Sequence, residues 1–265
     1  MVTAFAPGKC ILFGEHAVVY GQPAVAISID AGVEVTISES DRWILEGMPF
    51  EPSRHPHISH IINDIFQYKG SPLKIDIKSG LFSAAGLGSS AALSNSMGAA
   101  LHQFTKPNEP LDLISLAKMG HSAEANAQKG RASPTDTATS ALGGCIVVSG
   151  HKVRGTRHVF DATLETPEGS RSWSVCEAKL PEIEDIWIVL GSTGIGSPTG
   201  KMVEGVSELI GKYPQKMDDI RAIGDITSSG LASLSAGDME GVGSAMSSCH
   251  AVSYTHLTLP TSSVV

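Results

Sequence analysis

The stretch FSAAGLGSSAALSNSMGAAL, residues 82–101, limits what this chain can fold into more than any other. The alternating run LKIDIKS (73–79) leads directly into it, and a period of two predicts a strand. Beyond it, Leu93, Met97, Leu101 and Phe104 recur at helical spacing, which predicts a helix with one buried stripe. Between strand and helix lie Gly86, Gly88, Ser89 and Ser90, followed by small Ala91 and Ala92. The glycines let the backbone approach a ligand closely. The serines start a helix whose unpaired N–H groups and dipole favour an anion. There is no Gly-Lys-Ser/Thr, so this is not the common P-loop, and any lysine must come from another segment. A plain serine N-cap after a flexible turn remains the alternative.

Composition narrows the partners. A chain of 265 residues can bury one large core or two small ones, and 42% hydrophobic with 17% charged residues is ordinary for a globular protein. The net charge is −8, from 19 basic and 27 acidic residues, and no Lys/Arg-rich run occurs. That argues against nucleic acid or an anionic membrane surface as partner, while an anionic substrate would need locally placed donors. Cys10, Cys145, Cys176 and Cys249 are scattered without a C-x-x-C pair, as expected of a reduced, cytoplasmic protein. The opening MVTAFAPGKC lacks a signal-peptide core, and no apolar run is long enough to span a bilayer.

Along the chain, CILFG, AVAISID and VEVTIS read as strands, EGMPFEPSRHPH as a loop, and ISHIINDIFQYK as a helix. A further helix is expected from about Leu111 to Lys129, and GGCIVVSG as a strand. ATLETPEGSRS is polar and turn-rich and reads as a linker. DIWIVLGSTG reads as a strand, TGKMVEGVSELIGKY as an amphipathic helix, and two more helical patterns reach about His250. This order predicts an α+β or α/β protein in two lobes.

Three further places carry candidate chemistry. APGKCILFGEHAVVYGQPAVA sets Lys9, then adjacent Glu15 and His16, around a glycine-bounded turn. Read singly they are solvated hairpin residues; together they suggest a site wanting a cation, a carboxylate and a hydrogen-bonding ring. Glu124 shares a helix face with Leu113, Leu116, Ala117, Gly120 and Ala127. If buried it needs a basic residue, a donor or a metal; otherwise it escapes to solvent. In GRASPTDTATSALGG, Thr135 or Asp136 caps a short helix ending at Gly143, or Asp136 is a general base facing a hydroxyl.

PGKCILFGEHAVVYGQPAVA, GLGSSAA, ASPTD with LGG, and STGIGSPT occur here in one order. With them the chain resembles the mevalonate kinases of the GHMP superfamily of small-molecule kinases, in their compact archaeal and bacterial form, over residues 1 to about 250. The resemblance implies an α+β, two-lobed fold. Residues 1–182 would form an N-terminal lobe like the ribosomal-protein-like βαβ domain, carrying the nucleotide and catalytic residues. Residues 183–250 would form an incomplete ferredoxin-like C-terminal lobe, and 251–265 a non-native tail.

By the same resemblance Ala84, Ala85, Gly86, Leu87, Gly88, Ser89 and Ser90 cradle the phosphates of ATP, and Lys9 is the missing lysine. Asp136 takes or orients the proton of the substrate hydroxyl, and Lys9 pairs with it and stabilises the moving phosphoryl group. Ser90 and Glu124 hold Mg²⁺, while Glu15, His16 and Thr193 lie on the substrate side. The implied reaction moves the γ-phosphoryl group of ATP to the primary hydroxyl of mevalonate, with a homodimer among the assemblies to test.

Three departures stand out. Phe82 replaces the usual proline, and the segment from Glu124 to Asp136 is one residue longer than in close relatives. The family's last glycine-rich loop is missing: after AMSSCHA, the segment VSYTHLTLPTSSVV resembles nothing in the family. The expectation is a truncated chain with exposed apolar surface and little activity. Another kinase of the superfamily, acting on phosphomevalonate, homoserine or a sugar, and a nucleotide-binding remnant without turnover are the alternatives.

Overall fold

Two long strands open the chain, β1 (Val2–Phe13) and β2 (Ala24–Glu39), and they pair with each other. Short β3 (Ile44–Leu45) and β4 (Met48–Pro49) follow, then α1 (Pro56–His60), β5 (Leu73–Ser79), α2 (Ser89–Thr105), α3 (Leu113–Ala127) and α4 (Thr135–Leu142). Strands β6 (Cys145–Ser149), β7 (Thr156–Thr166) and β8 (Gly169–Ala178) precede α5 (Thr199–Lys212), α6 (Met217–Ala236) and α7 (Met239–His256). The structure, a computed structural model, describes residues 1–82, 85–128, 130, 132–166, 169–182, 187–191 and 199–256. The mixture of sheet and helix is the α+β class expected from the sequence.

The chain forms two compact units, neither of them one continuous stretch. The first comprises Met1–Lys9, Ser28–Leu81 and Leu87–Gly143. In it β2 runs antiparallel to β5, from Val33 opposite Ser79 to Glu39 opposite Leu73, and β5 is parallel to β3. Ile37, Leu73 and Ile75 on these strands, Ile58 and Ile61 around α1, and Met97 and Leu101 on α2 are fully buried. Helix α2 is the central one. Ala91, Ala92, Ser94, Asn95, Ser96, Met97, Gly98, Ala100 and Leu101 are all buried, so it is enclosed nearly all round rather than along one stripe. Its small residues allow that, because α1, α3 and α4 can approach closely.

The second unit comprises Cys10–Ile27, Phe82–Gly86 and Gly144–Val265. Here β2 pairs antiparallel with β6, β6 with β8, and β8 with β7. Trp173 on β8 is buried and its indole N–H donates to the Val18 carbonyl at 2.8 Å. Helices α6 and α7 pack together, burying Ile220, Ile223 and Cys249. No helix among the described residues is long and apolar enough to cross a membrane.

Several expectations need correction. The segment ATLETPEGSRS is not a linker but the tip of the β7–β8 hairpin, with Ala162 opposite Trp173 and Thr166 opposite Gly169. Its solvent-facing positions are polar while Phe160, Ala162, Trp173 and Val175 face inward, an alternation that the turn residues disguise. Of the strand expected in DIWIVLGSTG, residues 187–191 are described and are not in a strand; Trp187 and Val189 are exposed. An apolar run becomes a strand only where a ladder partner is present, and it has none among the described residues. The loop before α1 contains β4 and a 3₁₀ turn, Pro52–Arg54, and α1 continues into a π-helical turn, Ile61–Ile65. Helix α7 runs on to His256, past the end of the pattern expected near His250, with Ser253 buried.

Candidate active site

Lys9 lies near the middle of β1, where the strand passes the glycine loop. Its backbone N–H donates to the Leu87 carbonyl at 2.9 Å. The approach needs glycine on both sides. A Cβ at Gly8 would stand 2.8 Å from the Leu87 carbonyl oxygen, and one at Gly88 would stand 2.9 Å from Lys9 Cγ. Gly88 also has φ +70°, a left-handed conformation that side chains disfavour. Loop and lysine are therefore fitted to each other. Gly88 precedes the first turn of α2, which no side chain caps, so that turn can receive an anion.

The Lys9 side chain is only 6% exposed, and its ammonium lies 3.0 Å from Asp136 Oδ1. Asp136 stands in the first turn of α4, where the helix dipole favours a carboxylate. It does not cap: Pro134 is the N-cap and makes no side-chain hydrogen bond, so the carboxylate is engaged by Lys9 instead. The Asp136 side chain is 35% exposed, leaving one face open. Helix α4 is tied to α2 by Asn95, whose amide N–H donates to the Thr137 carbonyl at 2.9 Å inside the core. Sequence reasoning passed over Asn95; the signal was an amide among small residues in ALSNSMGAAL.

Glu124 on α3 is buried, which removes the solvent-exposed alternative. Its Oε2 accepts from the Gln128 amide at 2.5 Å, and Ser90 at the start of α2 is close enough to the carboxylate to help lower its pKa. Oε1 lies 3.3 Å from His57 Nε2 of α1. That is a close polar contact without hydrogen-bond alignment, and among the described residues neither atom has a hydrogen-bond partner. Burial pushes the Glu124 pKa up, but interactions with His57, Ser90 and Gln128 outweigh it and hold the carboxyl below its ordinary value. The sequence pattern places His57 in a loop, at the end of EGMPFEPSRHPH. The only hint was its place in RHPH, after a proline that can start a helix.

Among the described residues no group of three or more His, Cys, Asp or Glu side chains is placed to hold a metal. The Ser90 hydroxyl and the unsatisfied Glu124 oxygen are nonetheless two adjoining oxygen donors. That suits Mg²⁺, which takes one or two side chains and completes its shell with phosphates and water.

Glu15 and His16 belong to the second unit. Glu15 Oε1 accepts from the Ser253 hydroxyl at 3.5 Å. His16 has φ 62°, uncommon outside glycine, and burial of its ring lowers its pKa to about 4, although part of the residue's surface stays open. Ala85 is half-buried in the loop, and Gly86 is left-handed at φ 72°. Ala84 and Thr193 lie outside the described residues.

Known proteins carry the same pattern. Residues 57–144 match the GHMP kinases N terminal domain. The chain is 30% identical over 253 residues to mevalonate kinase of Methanothermobacter thermautotrophicus, covering 92% of this chain and 74% of that one. It is 33% identical over 190 residues to mevalonate kinase of Archaeoglobus fulgidus, covering 69% of this chain but 64% of the relative. In fold it is similar to L. major mevalonate kinase, crystallised in complex with R-mevalonate, with a TM-score of 0.67 at 21% identity over 96% of this chain and 76% of that one. The chain belongs to the GHMP kinases, within their mevalonate kinase family.

Proposed function

We propose that this chain carries the phosphoryl-transfer centre of a mevalonate kinase and moves the γ-phosphoryl group of ATP to the primary hydroxyl of mevalonate. The observation that carries the reading is the Lys9–Asp136 pair, 3.0 Å apart and fixed to the glycine loop through Lys9 N–H and Leu87 O. A cation, a carboxylate with one open face and an uncapped helix start are what transfer to an alcohol requires. The loop Ala84–Ser90 and the first turn of α2 would bind the phosphates through backbone N–H groups. Lys9 would then offset the charge that builds on the transferring group, and Asp136 would accept or orient the hydroxyl proton through its exposed oxygen. Ser90 and Glu124 would hold Mg²⁺, which when bound supplies charge neutralisation across the phosphates. Glu15, His16 and Thr193 would contact the substrate.

A substrate screen tests the reading. With ATP and Mg²⁺, mevalonate should be phosphorylated in preference to phosphomevalonate, homoserine and galactose. Preference for a sugar or an amino acid would overturn it, and ATP binding without turnover on any of the four would favour the silent remnant.

A further inference from the structure

Two histidines of α1 meet α3. His60 Nε2 is 2.9 Å from the Ser122 hydroxyl and its Nδ1 is 2.7 Å from Asp64 Oδ2. Serine, histidine and aspartate in that order resemble a nucleophile relay. Ser122, however, lies within α3, where the neighbouring N–H groups are used by the helix, so no donors remain for an oxyanion. The contact is better understood as an anchor. Residues three apart on a helix share a face, so seating His60 on Ser122 also brings His57 against α3, two residues further on at Glu124.

We infer that His57 is a positioning residue for Glu124, holding its carboxylate in the rotamer that stands beside Ser90. The inference rests on the proposed role of Glu124 as a magnesium ligand. A free glutamate side chain samples many rotamers, and a ligand oxygen that must be found among them binds more weakly. Glu124 is restrained from three elements: Gln128 after the end of α3 holds Oε2, Ser90 comes from α2, and His57 comes from α1. His57 faces Oε1, the oxygen that has no hydrogen-bond partner among the described residues. A five-residue α1 has no stability of its own. Its seat is set by buried Ile58 and by the His60 anchor, so His57 arrives with its reach already fixed. Partners behind a metal ligand commonly contribute ten- to hundredfold in metal affinity.

The test measures Mn²⁺ binding to the chain in the presence of a non-hydrolysable ATP analogue, from the paramagnetic resonance signal of free Mn²⁺, together with the melting temperature. His57→Leu should weaken Mn²⁺ binding roughly ten- to hundredfold. His57→Gln, which can place an amide nitrogen near the imidazole Nε2 position, should recover most of it. Glu124→Gln should weaken binding at least as much as His57→Leu. Leucine binding Mn²⁺ within twofold of the parent while Glu124→Gln loses it would overturn the inference and leave the metal reading standing. Unchanged binding in Glu124→Gln would sink both. Equal loss in leucine and glutamine, with the same drop in melting temperature, would make His57 structural and also overturn the inference.

Discussion

Asp136 and Glu124 stand on successive helices, yet one is open and the other sealed. Among the described residues Asp136 has one charged partner, Lys9, and more than a third of its side chain faces solvent. Glu124 is 4% exposed and is met by His57, Ser90 and Gln128. An open carboxylate held by one cation can take a proton from an incoming hydroxyl without dismantling its surroundings. A sealed one cannot, and can only serve a group that enters with ligands of its own. Under the proposed function, that difference would assign Asp136 to the reacting group and Glu124 to binding.

The largest expected effect breaks the open pair. Lys9→Met or Asp136→Ala should each lower kcat about 10²–10⁴-fold while ATP binding largely survives, measured by steady-state turnover and nucleotide titration. Asp136→Ala also strands a buried ammonium, which costs up to about 3–5 kcal/mol where the pair is fully enclosed and less here because Asp136 is partly open. Asp136→Asn, which keeps the shape and an oxygen near Lys9, should recover stability but not turnover. Near-normal turnover in Lys9→Met or in either Asp136 variant would remove the distinction between the two carboxylates.

A smaller effect is expected at the hinge between loop and lysine. Gly88→Ala requires a left-handed conformation, which costs about 1–2 kcal/mol, and pushes on Lys9 Cγ, close to the backbone where the side chain cannot swing aside. We expect a tenfold or greater loss of kcat, because a displacement of the order of an ångström can cost about 10². Thermal melting should fall by only a few degrees. A variant with unchanged kcat would mean that Lys9 tolerates displacement, contrary to a fixed catalytic pair.

Much of this was legible in the sequence, and the part that was not has a physical cause. The strand LKIDIKS, the glycine loop and the start of α2 follow from period, turn residues and small side chains, all local properties. Glu124 could be placed on an apolar face by spacing, and burial bears that out. Its partner could not be found, because His57 lies 67 positions earlier in a segment whose prolines and histidines look like loop. Asn95 was hidden for the same reason: its hydrogen bond runs to a backbone carbonyl 42 residues away. The β7–β8 hairpin was missed because its outward positions are polar and its turn is rich in Pro and Gly, the marks of a linker as well. Local pattern reads elements and faces, whereas pairing across helices depends on how the helices meet.

The smallest effects lie in the pH dependence of stability, and they sharpen the contrast between sealed and open groups. His16, near pKa 4 in the folded chain against an ordinary 6.5, takes up its proton later folded than unfolded. Its contribution is therefore complete above pH 6.5 and is lost as the pH falls towards 4. Glu124 is held below its ordinary 4.5, so its contribution is complete above pH 4.5 and disappears only below that, as the pH passes through the folded value. Acid unfolding should thus show two successive losses, followed by urea midpoints between pH 7.5 and 3.5. His16→Asn, a residue that tolerates the left-handed backbone, should flatten the slope between pH 6.5 and 4 and leave the steeper limb below 4.5. Glu124→Gln should do the reverse. If His16→Asn left the upper slope unchanged, the ring would not be shielded from water, and the loss in that window would belong to buried His121, whose pKa burial also lowers.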